Sequence, residues 1–138
     1  MRTVGMTSKG AATLDPDSIM FPQVVKELVE ILGAGLTAIV ANVGETRRVR
    51  LWMENAGTPS MRRQQIIRFA LRVALILSQR HTREIAQAWF QGLNRHLGDE
   101  VPALLLRNLN DKTEDPDLVE VVEAEKRILA AARNFAER

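Results

Sequence analysis

Apolar residues recur at three- and four-residue intervals along most of the chain, and no segment alternates apolar and polar residues as a half-buried strand would. The run "FPQVVKELVEILG" places Val24, Val25, Leu28, Ile31 and Leu32 at helical spacing. Pro22 stands where a first-turn proline is tolerated, and Gly33 is the expected stop. "GLTAIVANVG" predicts a short second helix, with Leu36, Ile39, Val40 and Val43 on one face and Gly44 ending it. A third helix starts near Glu45 and ends around Asn55 to Gly57. Pro59 then punctuates the chain and Ser60 is a candidate N-cap.

From Met61 to about Arg80 the pattern predicts a long helix. Its main face holds Ile66, Phe69, Ala70, Val73, Ile76 and Leu77. A second stripe, Leu71 and Leu75, lies beside Arg68 and Arg72. A helix apolar on more than one side is buried between neighbours, so this one is expected to bridge the two halves of the chain, with its second stripe free to face another subunit. A helix from about Thr82 carries Ile85, Trp89 and Leu93 at spacing four. "GLNRHLGDEVP" reads as a loop, Pro102 opens the short helix "PALLLRN", and "LNDKTEDPD" is a polar linker. A last helix begins near Asp117 and uses Leu118, Val121, Val122, Ile128, Ala132 and Phe135. Residues 1 to about 20 lack a sustained apolar period and read as a flexible arm. The expected fold class is all-α.

Composition narrows the class. The absence of Cys excludes disulfides and thiolate chemistry. The start of the chain lacks the apolar core of a signal peptide, and the most hydrophobic run, Phe69 to Leu77, is short and interrupted by Arg72. A soluble cytoplasmic protein without membrane contact is therefore expected. Catalysis is not expected. His81 and His96 lack the spacing of a zinc site and read as surface residues, Ser8, Ser18, Ser60 and Ser78 lie in no nucleophile elbow, and "GAGL" from Gly33 lacks the glycine spacing and Lys of a phosphate loop. Neither a cofactor nor a metal is implied.

Charge is unevenly placed within a net of +2. Between Arg47 and Arg83 nine Arg (47, 48, 50, 62, 63, 68, 72, 80, 83) face a single acid, Glu54. Between Asp111 and Glu125 seven acids (111, 114, 115, 117, 120, 123, 125) face Lys112. Such asymmetry suggests different partners for the two stretches.

Two short helices joined by a tight turn, the second one basic, form the pattern of a helix-turn-helix. On a helical wheel Thr46, Val49, Trp52 and Met53 share one side, expected to pack on Leu36, Ile39, Val40 and the first helix. Arg47, Arg50, Leu51 and Glu54 fall opposite, with Arg48 at the flank. The arginines thus crowd the helix start, the end that enters the major groove in this motif, where Arg can bond guanine in bidentate fashion or clamp phosphate. Thr46, Arg47, Arg48 and Arg50 are the candidate DNA contacts, and Arg62 and Arg63, opening the next helix, are candidates for the phosphate backbone. Specific binding by so small a reader implies a homodimer on two half-sites.

The stretch "GLTAIVANVGETRRVRLWMENAGTP" resembles the helix-turn-helix of Xre-type actinobacterial regulators. "AQAWFQGLNRHLGDEVPALLLRN" resembles the C-terminal domain of MbcA/ParS/Xre-type antitoxins, through Trp89, Asn94, Leu97, Pro102, Leu105 and Leu106, and "VVEAEKRILAAARNFAE" is similar to that domain's last helix. The resemblance covers roughly residues 22 to 136. It implies an antitoxin that represses its own operon and neutralises a RES-domain toxin that consumes NAD. The implied organisation is a flexible arm (1–20), a helix-turn-helix unit (21–60), a central helix (61–81) and a toxin-binding or dimerisation domain (82–138). Arg107, Asp111, Asp115 and Glu120 are then the candidate partner-facing residues. A stand-alone helix-turn-helix regulator and a protein-interaction module without DNA binding share these features.

Overall fold

The computed structural model describes residues 14–110 and 118–137. Among them the chain forms six α-helices: α1 (Phe21–Ala41), α2 (Thr46–Met53), α3 (Met61–Ser78), α4 (Arg83–Gln91), α5 (Pro102–Asn110) and α6 (Leu118–Ala136). A single 3-10 turn, Arg95–Leu97, sits between α4 and α5. The all-helical class and the long central helix expected from the periodicity are both present.

Gly33 interrupts α1 where the spacing placed the stop of a first helix, and a second limb follows it directly. Its φ of 84° and ψ of 160° lie in a region open essentially to glycine alone, so the helix breaks there and resumes in a new direction. Thr37, buried just beyond the bend, returns its hydroxyl to the Gly33 carbonyl at 2.8 Å. Leu36, Val40, Thr37 and Ala41 face inward, whereas Ile39, expected in the core, is exposed. The end of this limb is met by α5 at Val40 and by α3 at Ala41.

The end of that limb is set by Asn42, not by Gly44. Asn42 adopts the left-handed conformation (φ 57°, ψ 48°), its N–H donates to Ile39 O and that of Val43 to Ala38 O, both at 3.0 Å. This pair of bonds is the Schellman arrangement, which a short polar side chain tolerates. Ser60 caps α3 by accepting from Arg63 N at 3.2 Å, as its position predicted, and Thr82 caps α4 in the same way.

The central helix α3 touches α1, α4, α5 and α6, and one continuous core runs from Phe21 to Ala132 through all of them. Leu71 and Leu75, the stripe offered above to another subunit, are buried within the chain itself. Residues 14–20, expected to belong to a flexible arm, help to cover that side. Arg68 donates to the carbonyls of Pro16 (2.6 Å) and Ile19 (2.8 Å), and Arg72 reaches Asp17 at 2.6 Å. The spacing showed no helix there because these seven residues are held by two guanidiniums and a turn, neither of which has an apolar period. Residues 1–13 lie outside the described residues.

On α4 the expected apolar stripe is displaced. Ala86 and Phe90 are fully buried, and of the Ile85, Trp89, Leu93 series only Trp89 is in the core. Ile85 and Leu93 instead border an open hollow of about 500 Å3, completed by Ala131 and Phe135 of α6. On α6 Val121 is half-buried and Ile128, Ala131 and Ala132 are buried, but Val122 is exposed.

Candidate nucleic-acid interface

The short helix α2 is fixed to the molecule by one face. Val49 is fully buried, Trp52 nearly so, and the Trp52 ring meets the Phe21 ring edge-on at 6.1 Å. Thr46 and Met53 are half-buried at the margins of this face, as the wheel placed them. On the other side Arg47, Arg48, Arg50 and Glu54 are exposed, with Leu51 half-buried between them. Among the described residues none of the three arginines forms an ion pair or a side-chain hydrogen bond. Their guanidiniums therefore present fifteen uncommitted N–H donors in all, five on each, along one side of a helix two turns long.

Arg62 and Arg63 are arranged differently. Both are half-buried. Arg63 Nε donates to Ala41 O, the last carbonyl of α1, at 2.7 Å, and Arg62 Nη1 lies 3.5 Å from Leu109 O near the end of α5. The phosphate-clamp role expected for them competes with these internal acceptors. Each guanidinium neutralises the negative end of a helix whose final carbonyls have no partner in the helix itself. The linear sequence could not separate them from the α2 arginines, because what distinguishes the two groups is the distant helix end each one meets.

The turn between α1 and α2 is the second part of the site, and its polar bonding was not foreseen. The last four carbonyls of α1 lie beyond the helix's own hydrogen bonding. Ala38 and Ile39 are served by the backbone of Val43 and Asn42. Ala41 is served by Arg63, and Val40 by Asn110 Nδ2 of α5 at 2.9 Å. Arg107, also on α5, donates from Nε to Asn42 Oδ1 at 3.2 Å. An Asn placed two residues before a Gly was a visible sign of a left-handed cap; that Asn110 and Arg107 would reach it from 65 residues or more away was not.

Of the residues expected to meet a protein partner, Arg107 is exposed although bonded to Asn42, and Glu120 is exposed on α6. Asp111 and Asp115 lie outside the described residues. His96 is exposed, while His81, expected at the surface, is half-buried against Phe135, with ring centroids 4.8 Å apart. Comparison with protein-family models, with curated proteins and with solved structures finds no match to this chain. Among the described residues no helix is long and apolar enough to cross a membrane.

Proposed function

We propose that this chain is a DNA-binding, antitoxin-like transcriptional regulator that represses its own operon and neutralises a RES-type toxin. The reading is carried by one observation: Arg47, Arg48 and Arg50 are exposed, and without a partner among the described residues, on the face of α2 opposite the buried Val49 and Trp52. What sets these three apart from other exposed arginines, such as Arg80 and Arg133, is that they stand within four residues of one another on one short helix and concentrate positive charge there. A groove of B-DNA offers phosphate oxygens and guanine edges at the reach of such side chains. The bend at Gly33 gives α1 two limbs, so that the second limb, the short turn and α2 follow one another as the helix-turn-helix pattern requires. A homodimer would set two copies of α2 on two half-sites. The antitoxin half of the proposal rests on the sequence resemblance around Trp89 to Leu106. It is favoured by the exposed apolar residues Ile85, Leu93 and Val122 in the same part of the chain.

Binding to a duplex from the protein's own promoter, followed by fluorescence anisotropy at several salt concentrations, tests the first half. The parent is expected to bind with a steep salt dependence. Arg47→Ala, Arg48→Ala and Arg50→Ala together are expected to weaken binding by about 100-fold or more and to flatten the slope by about 1 for each arginine that meets a phosphate. Equal, weak binding by parent and variant would sink the DNA reading. For the second half, co-purification with a RES-domain protein encoded beside it, and arrest of that protein's NAD consumption, is the expected outcome. A neighbouring gene of any other kind points to a stand-alone regulator.

A further inference from the structure

We infer that Arg107 and Asn110 of α5 are positioning residues for the DNA-reading helix, tying DNA affinity to the end of α5. The inference rests on the reading of α2 as a DNA reader and adds a mechanism to it.

Three residues, Val43, Gly44 and Glu45, separate Asn42 from the start of α2. So short a connection leaves the arginines at the head of α2 little freedom once Asn42 is placed. Asn42 is placed from α5. Arg107 Nε holds its side-chain oxygen, and Asn110 Nδ2 holds the carbonyl two residues before it. The Asn110 amide has only one workable orientation, since its nitrogen faces two carbonyl oxygens, Val40 O at 2.9 Å and Leu106 O at 3.5 Å. Turning it over would set oxygen against oxygen. The arrangement is closed on its third side by α3, with Arg63 on Ala41 O and Arg62 near Leu109 O. Helices α1, α3 and α5 thus meet at a polar joint directly behind the turn. None of its bonds involves Arg47, Arg48 or Arg50, which leaves those side chains free while their helix is held. Displacement of the end of α5 takes two donors from the turn at once, and the head of α2 moves with it.

Two measurements on Arg107→Ala, and on the double variant with Asn110→Ala, test this. The first is hydrogen exchange of the Asn42 and Val43 amides, the two in this turn that are hydrogen-bonded. It is expected to accelerate about tenfold in the double variant while the amides of α3 keep their parental rates. The second is promoter binding against salt. Affinity is expected to fall about tenfold with an unchanged salt slope, because no phosphate contact is removed. Arg107→Lys, which retains a donor, is expected to recover part of the loss. Parental exchange rates at Asn42 and Val43 would overturn the inference. So would a salt slope reduced by about 1 on Arg107→Ala, which would make Arg107 a phosphate contact itself. Arg107 is exposed, so its single variant stays folded even if the double variant does not. If the DNA reading itself is wrong, parent and the α2 triple variant bind alike, a result separate from both outcomes above, and the exchange rates alone then decide whether α5 holds the turn.

Discussion

Arg47, Arg48 and Arg50 on α2 are exposed and have no side-chain partner among the described residues, whereas Arg63, Arg68 and Arg72 on α3 each end on an oxygen of the same chain. The two groups stand within one basic stretch. The difference follows from how much of each helix is covered. A helix of eight residues on the edge of the molecule buries one stripe and leaves the opposite side open. A helix of 18 residues packed on several sides leaves only a narrow, half-covered strip, and its long cationic side chains run out along apolar neighbours to acceptors at the rim. There they find helix ends and the turn of residues 14–20. A surplus of arginine is thus not by itself a binding surface; only the part without internal acceptors is available to a partner.

Four variants would break or sharpen this contrast. The largest effect is expected on DNA affinity from the triple alanine variant of α2, already described, with stability within about 0.5 kcal/mol of the parent by urea denaturation, as for other surface changes. Arg68→Ala should do the reverse. Promoter affinity should stay near the parental value, while about 2 kcal/mol of stability is lost, because two carbonyls lose a charged donor and the 14–20 segment loses its anchor. Limited proteolysis near Asp15 to Ser18 should then become faster. Arg72→Ala should cost less, about 0.5 kcal/mol, since its partners Asp17 and Asp15 are exposed, and the cost should shrink further at high salt.

The smallest effect concerns Glu125. Burial lifts its carboxyl above the ordinary value of 4.5; the nearby Arg72 pulls the other way, and Asp17 adds to the rise. A carboxyl that binds its proton more tightly when folded makes the folded state lose stability as pH rises from about 4.5 through the raised value. Glu125→Gln is therefore expected to raise the melting temperature slightly at pH 7 and to leave it unchanged near pH 4. A lower melting temperature at pH 7 would mean that attraction to Arg72 outweighs burial.

Much of this arrangement could be read from spacing. The start of α2, the N-cap at Ser60, the helix opened by Pro102 and the buried side formed by Val49 and Trp52 all follow from signals a few residues long, whereas the end of α2 falls at Met53, short of the expected Asn55 to Gly57. The failures share a cause. Ile39 was placed inside because it shares the three- and four-residue spacing of Leu36, Val40 and Val43, but in the fold Leu36, Thr37, Val40 and Ala41 are the buried residues of that limb. Leu71 and Leu75 were offered to a second subunit because a segment without periodicity gave no sign that it would cover them. Ile85 and Leu93 continue the line of Trp89 on a wheel, but α6 covers only part of that line and leaves a hollow beside the rest.

Local periodicity and capping thus decide, without reference to the rest of the chain, that it is helical, where most of the helices begin and which side of α2 is wet. Those properties depend on neighbours within about one turn of helix. Which arginines are free, which apolar stripes are covered and what holds the turn before α2 are set by side chains that meet across tens of residues. Ala41 O accepts from Arg63, Val40 O from Asn110, and Asn42 from Arg107. A buried or half-buried polar group takes the nearest partner in space, and that partner exists only once the helices have packed.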